Sequence, residues 1–107
     1  SNPNIMTVPL KGVEKYPDSK AIVYWDKTSK DVYLNAEDLP NAPRGMQYQL
    51  WALVDGKPVS AGIYSAEKDT KEKLANIPKA QAFAITLEKQ GGSDAPTMEN
   101  MYVMGSI

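Results

Sequence analysis

The chain contains no cysteine and no histidine among its 107 residues. The first absence excludes disulfides, a thiolate nucleophile and thiolate-ligated zinc. The second excludes a Ser-His-Asp triad, histidine-ligated haem and a side chain that changes charge near neutral pH. Together they exclude blue-copper chemistry, which needs both ligand types. Lack of cysteine is compatible with any redox compartment. Long apolar runs are absent as well. The longest, Ala21–Trp25 and Leu50–Val54, have five residues each, whereas a membrane helix needs about 20. No excess of charge exists either: 12 basic and 13 acidic residues leave a net charge of −1. Without a basic stripe to neutralise phosphates, nucleic acid is not an expected partner. Without a polybasic cluster, neither is an anionic membrane surface. Ser1–Asn4 has no basic or apolar character, so it does not read as a signal peptide. The chain opens on Ser rather than Met and reads as a piece of a longer protein.

What is present is β pattern. The 42% of hydrophobic residues suffices for one small core. Ala21–Trp25 is β-branched and aromatic and reads as a central strand. A polar turn, Asp26–Asp31, leads into Val32, Leu34 and Ala36, which alternate with polar residues and complete a hairpin. Pro40, Pro43 and Gly45 bound a loop. In the next strand, Met46, Tyr48, Leu50, Ala52 and Val54 share one face, and Gln47, Gln49, Trp51 and Leu53 the other. Asp55-Gly56 is a two-residue hairpin signal. The return strand places Val59, Ala61 and Ile63 inward, and Pro58 puts its end at an edge. Gly62 inside that strand suggests a bulge or a close backbone approach. Glu67–Lys73 reads as a solvated loop or short edge strand. Ala82–Lys89 directs Phe83, Ile85 and Leu87 to the core, and Tyr102–Met104 is a last short strand. Ile5–Leu10 reads as a first strand interrupted by Pro9, within an N-terminal segment, 1–19, that can be loose. The expectation is a single all-β domain over 1–107. Its architecture is a small antiparallel β-sandwich, immunoglobulin-like, of seven or eight strands, with a partly open β-barrel as the alternative.

Few constellations point to chemistry. Ser65-Ala66-Glu67-Lys68 fits the S-x-x-K spacing of acyl-serine enzymes. It follows a strand instead of opening a helix, and Ser93-Asp94 is followed by Ala95 instead of Asn, so the match reads as chance. Glu37-Asp38 are neighbours rather than carboxylates across a cleft, as glycoside hydrolysis requires. Gly91-Gly92 lacks the pattern of a phosphate loop and reads as a turn. No catalytic, metal or cofactor-binding residue is assigned. Trp25, Trp51, Tyr33 and Tyr64 are the candidates for contact with a partner or ligand, by stacking on a sugar or peptide. The two tryptophans lie in the most apolar strands, which favours packing for them.

Three stretches together resemble a known family. They are Tyr24-Trp25-Asp26 followed by Val32-Tyr33-Leu34; Tyr48-Gln49-Leu50-Trp51 leading to Asp55-Gly56-Lys57-Pro58-Val59-Ser60-Ala61-Gly62; and Ala82–Glu88 leading to Gly91-Gly92-Ser93 and Pro96-Thr97. The pattern is similar to the anti-sigma-K factor C-terminal domain. Lys89-Gln90 stands where that family has a proline. The resemblance implies an extracytoplasmic regulatory domain of a membrane-anchored, single-pass bacterial anti-sigma factor. An N-terminal domain outside this chain would hold an extracytoplasmic-function sigma factor, and proteolysis by an envelope protease would release it. It implies no catalytic residues. Tyr48, Gln49, Leu50, Trp51, Gly62, Gly91, Gly92, Ser93, Pro96 and Thr97, the motif residues, read as builders of the fold. The alternative is a free-standing cell-envelope module that binds a glycan or peptide.

Overall fold

A computed structural model describes residues 3–66 and 72–107. The strands are β1 (Ile5–Gly12), β2 (Lys20–Asp26), β3 (Asp31–Asp38), β4 (Met46–Val54), β5 (Lys57–Tyr64), β6 (Ala75–Asn76), β7 (Ala82–Lys89) and β8 (Met101–Ser106), with a 3-10 turn at Met98–Asn100 before the last. They form one eight-stranded sheet in the order β5-β4-β7-β8-β1-β2-β3-β6. Every pair is antiparallel.

The all-β expectation holds, and the closure is that of the partly open barrel. β1 pairs with β2 on one side and β8 on the other, so the two layers are one continuous sheet. Residues 5–12 of the segment expected to be loose thus lie inside the sheet, and Pro9 does not interrupt β1. The ends of the sheet, β5 and β6, are not hydrogen-bonded neighbours. They approach where β5 passes the residue preceding β6. A Cβ on Gly62 would stand 2.8 Å from Leu74 Cγ, and Gly62 sits at φ +106°. Only glycine allows the curl to tighten there.

Alternation explains the core. Val8, Leu10, Val23, Trp25, Val32, Leu34, Leu50, Phe83, Ile85 and Val103 are buried in one cluster inside the curl. Trp25 meets Phe83 edge-on, with centroids 5.6 Å apart, and its indole N–H donates to the Ile77 carbonyl at 2.9 Å. Tyr102 closes the cluster toward residue 16, its ring stacked 3.7 Å from that of Tyr16 and edge-on to Tyr48 at 5.2 Å. Burial pushes the hydroxyl pKa of Tyr102 above the usual tyrosine value. The β4–β5 turn is the expected two-residue one, with Asp55 and Gly56 at φ 51° and 79°, the signs of a type I′ turn.

Two inward assignments fail: Val59, opposite Ala52 on the edge strand β5, is 43% exposed, and Ile63 leaves the inner face. The β4–β5 register shifts between Gln49 and Trp51, so that Ile63 pairs with Gln49 and Tyr64 with Tyr48. The bulge at Gly62 reverses the alternation. Ile63 moves to the outer face and Tyr64 packs against the core. Glu37 and Asp38 are the exposed end of β3.

Candidate functional site

The outer face of β4 and β7 is covered by the segment between β7 and β8. The register sets Gln47 beside Glu88, Gln49 beside Thr86 and Trp51 beside Ala84 on that face. A solvent-facing strand would leave such residues wet. Here Gln49, Trp51, Thr86 and Glu88 are all buried, Glu88 to 2% exposure.

The cover is fixed by its backbone. Gly91 N–H donates to Gln47 Oε1 at 2.8 Å, and Ser93 N–H donates to Gln49 Oε1 at 2.9 Å. Gln49 Nε2 donates to the Ser93 carbonyl at 3.1 Å and to Ser60 Oγ of β5 at 2.8 Å. The two glutamines thus give the loop the partners that another strand would supply. Gly92 lies against them at φ +88°, where a Cβ would meet Ile63 Cδ1 at 2.7 Å and Gln49 Oε1 at 3.0 Å.

Glu88 is the centre of the network. Its carboxylate accepts from Thr86 Oγ1 at 2.5 Å, Ser93 Oγ at 2.9 Å, Thr97 N–H at 2.8 Å and Thr97 Oγ1 at 2.7 Å. Trp51 Nε1 donates to Thr86 Oγ1 at 2.8 Å and orients that hydroxyl. Burial pushes the Glu88 pKa up, but bonds from Thr86, Thr97 and Ser93 together outweigh it, and the carboxyl is held below its usual value. A carboxylate offers about four lone-pair positions, and these donors fill them. Glu88 is therefore ionised at neutral pH and spent on the loop, so it is poorly placed to act as a base or metal ligand. No buried side-chain nitrogen or oxygen among the described residues lacks a partner.

Beside this clamp runs an apolar groove of about 300 Å³. Trp51, Leu53, Pro58, Ala84 and Pro96 line it together with Met98, Met101 and Met104.

The four candidate contact residues do not converge. Trp25 is buried inside the curl. Trp51 is buried on the opposite, outer face, where it shares the groove. Tyr33 is half-buried and pairs with Tyr24 across β2–β3. Tyr64 lines a separate hollow of about 270 Å³ with Tyr48, Met46 and Leu39. In the S-x-x-K match, Glu67 and Lys68 lie outside the described residues, as do 67–71 of the expected loop. Among motif residues, Gln49, Trp51, Gly92, Ser93 and Thr97 meet in the clamp, while Tyr48 donates its hydroxyl to the Pro40 carbonyl at 2.7 Å. The sequence reading missed Thr86, Glu88 and the three methionines. Their signals were a T-x-E alternation on one strand face and a methionine at every third position from 98 to 104.

These features define a small antiparallel β domain whose shared motifs tie a loop onto one sheet face. The comparisons specify the class. The profile described as anti-sigma-K factor RskA, C-terminal, matches residues 4–101, and the chain belongs to that family. Proteins described as anti-sigma-K factor RskA from Mycobacterium sp. strains KMS and JLS are each 31% identical over 100 residues, covering 89% of this chain and 39% of theirs. A Streptomyces griseus protein described as an uncharacterized protein in the phr 5′ region is 31% identical over 85 residues, 78% of this chain and 35% of its own. The chain thus spans well under half the length of these relatives. No solved structure matches it significantly.

Proposed function

We propose that this chain is the extracytoplasmic regulatory domain of a membrane-anchored anti-sigma factor, which governs release of an extracytoplasmic-function sigma factor through regulated proteolysis. The observation that carries the reading is the family match over residues 4–101 on a chain that accounts for only 39% of the mycobacterial relatives. The remaining length of such a protein leaves room for an inhibitor domain and a membrane segment. Among the described residues no helix is long and apolar enough to cross a membrane, so on this reading the anchor lies elsewhere. The clamp supports a domain that works through its integrity, because the one buried carboxylate among the described residues, Glu88, is saturated by internal donors. Local opening of the β5–β6 seam is the step that admits the protease. The alternative, a free-standing cell-envelope module that binds a glycan or peptide, is less well supported, because Trp25 and Trp51 are 7% and 2% exposed and Tyr33 and Tyr64 do not join them in one site.

The test is made in the full-length protein with a tag after Ile107. The tag should be digested by protease added to intact spheroplasts, and a sigma factor should co-purify with the part that precedes this chain. Phe83→Ala, which weakens the core, should raise sigma release. A protected tag, or release indifferent to Phe83→Ala, overturns the reading.

A further inference from the structure

We propose that Met98, Met101 and Met104 form an oxidation site, and that their conversion to methionine sulfoxide by a peroxide or hypohalous acid loosens the segment covering the outer face. The inference stands apart from membrane topology and needs only this chain. With no cysteine present, the readily reversible oxygen chemistry of sulfur falls to the thioethers. Three of the five methionines line one groove. Met98 and Met104 are 62% and 46% exposed, so an oxidant reaches them from solvent. Met6 and Met46, by contrast, pack against the core.

The position gives oxidation its consequence. Met98 directly follows Thr97, whose N–H and hydroxyl both hold Glu88. Met101 opens β8 opposite Thr86, at the bulge in the β7–β8 ladder. A sulfoxide replaces a soft apolar sulfur with a strong polar acceptor. Within a groove of Trp51, Leu53 and Pro96 that oxygen finds apolar surface. At Met101, half-buried at the start of β8, it reaches water only by turning out of the groove, which moves the turn that carries Thr97 away from Glu88. In the chemical step, a thioether sulfur forms one S–O bond and gives up two electrons. Hydrogen peroxide breaks its O–O bond and leaves as water; a hypohalous acid leaves as halide and a proton. No bond of the chain breaks, and methionine sulfoxide reductases reverse the change.

The test treats the 107-residue chain with hydrogen peroxide and follows each methionine by peptide mass mapping. Met98 and Met104 should oxidise about tenfold faster than Met6 and Met46, because access sets the rate. In the oxidised protein the amides of Ser93 and Thr97 should exchange about tenfold faster, while those of Val23 and Leu34 keep their protection. Reductase treatment should restore the original pattern. A Met98→Leu, Met101→Leu, Met104→Leu protein should show no such response. A Met6→Leu, Met46→Leu protein should respond as the parent does, which keeps the test decisive if the triple variant folds poorly. Equal oxidation rates at all five methionines, or unchanged exchange at Ser93 and Thr97 after oxidation, overturns the proposal.

Discussion

Strand β2 buries Ala21, Val23 and Trp25 and leaves Ile22 and Tyr24 half-exposed between them, whereas β4 buries every residue from Tyr48 to Ala52. Both carry side chains alternately to two faces. The difference lies in what covers the outer face. Over β4 and β7 lies the loop tied by Gln47, Gln49 and Glu88. Over β1–β3 the outward positions Thr7, Pro9 and Lys11 are exposed. The halves also use their carboxylates differently. Asp26 is held below its usual pKa by the backbone N–H groups of Ser29 and Thr28, in an exposed turn. Glu88 is held there by mostly side-chain donors under a cover. A polar residue at an outward strand position therefore marks solvent in one half and a buried clamp in the other.

The comparison breaks most completely where the halves share a core. Phe83 on β7 packs against Trp25 on β2 and is 1% exposed. Phe83→Ala should cost about 3–5 kcal/mol, read by urea unfolding, and should lower protection in both halves together. Next in size is Glu88→Ala, which strands the donors of Thr86, Ser93 and Thr97 and should cost roughly 2–3 kcal/mol. Its loss of amide protection should centre on the covered half. The sign with pH follows from the depressed pKa of Glu88. Its contribution is complete above the unfolded carboxylate value of about 4.3 and disappears as pH falls through the lower folded value. The stability gap between the parent and Glu88→Gln should therefore narrow on acidification below pH ~4. Gly92→Ala should cost about 1–2 kcal/mol from the left-handed backbone alone, and its contact with Gln49 should bring faster exchange at Ser93. The smallest effect sharpens the contrast from the other side. Thr7→Ala on the open face should stay within about 0.5 kcal/mol.

Much of the fold was legible because period-two alternation reports directly on burial in β2 and β3, and in β4 and β7 on which face points into the curl. The turn at Asp55-Gly56 was legible because its dipeptide chemistry is local. Ile63 was misplaced because one bulged residue reverses all positions after it. The clamp was hidden for a different reason. Gln49 is bonded to Ser93, 44 residues away in the chain, and no local pattern separates a glutamine awaiting a loop from one facing water. The family motifs held those two residues together, but as a resemblance they carried no geometry. Trp25 and Trp51 both sit in apolar strands, yet alternation alone could not show that one lies inside the curl and the other beneath a cover.

The pairing of β1 with β8 has a consequence in time. Lys11 lies beside Met104 and Gly12 beside Val103, so β1 finds one of its neighbours only when β8 emerges. Until then β2–β3 can offer β1 one edge, and β4–β5–β7 forms a second, unattached leaf. Loop closure on this scale makes folding slow, on the order of milliseconds to seconds for such topologies. It also makes completion all-or-none: a nascent chain halted before residue 101 has two leaves and no barrel.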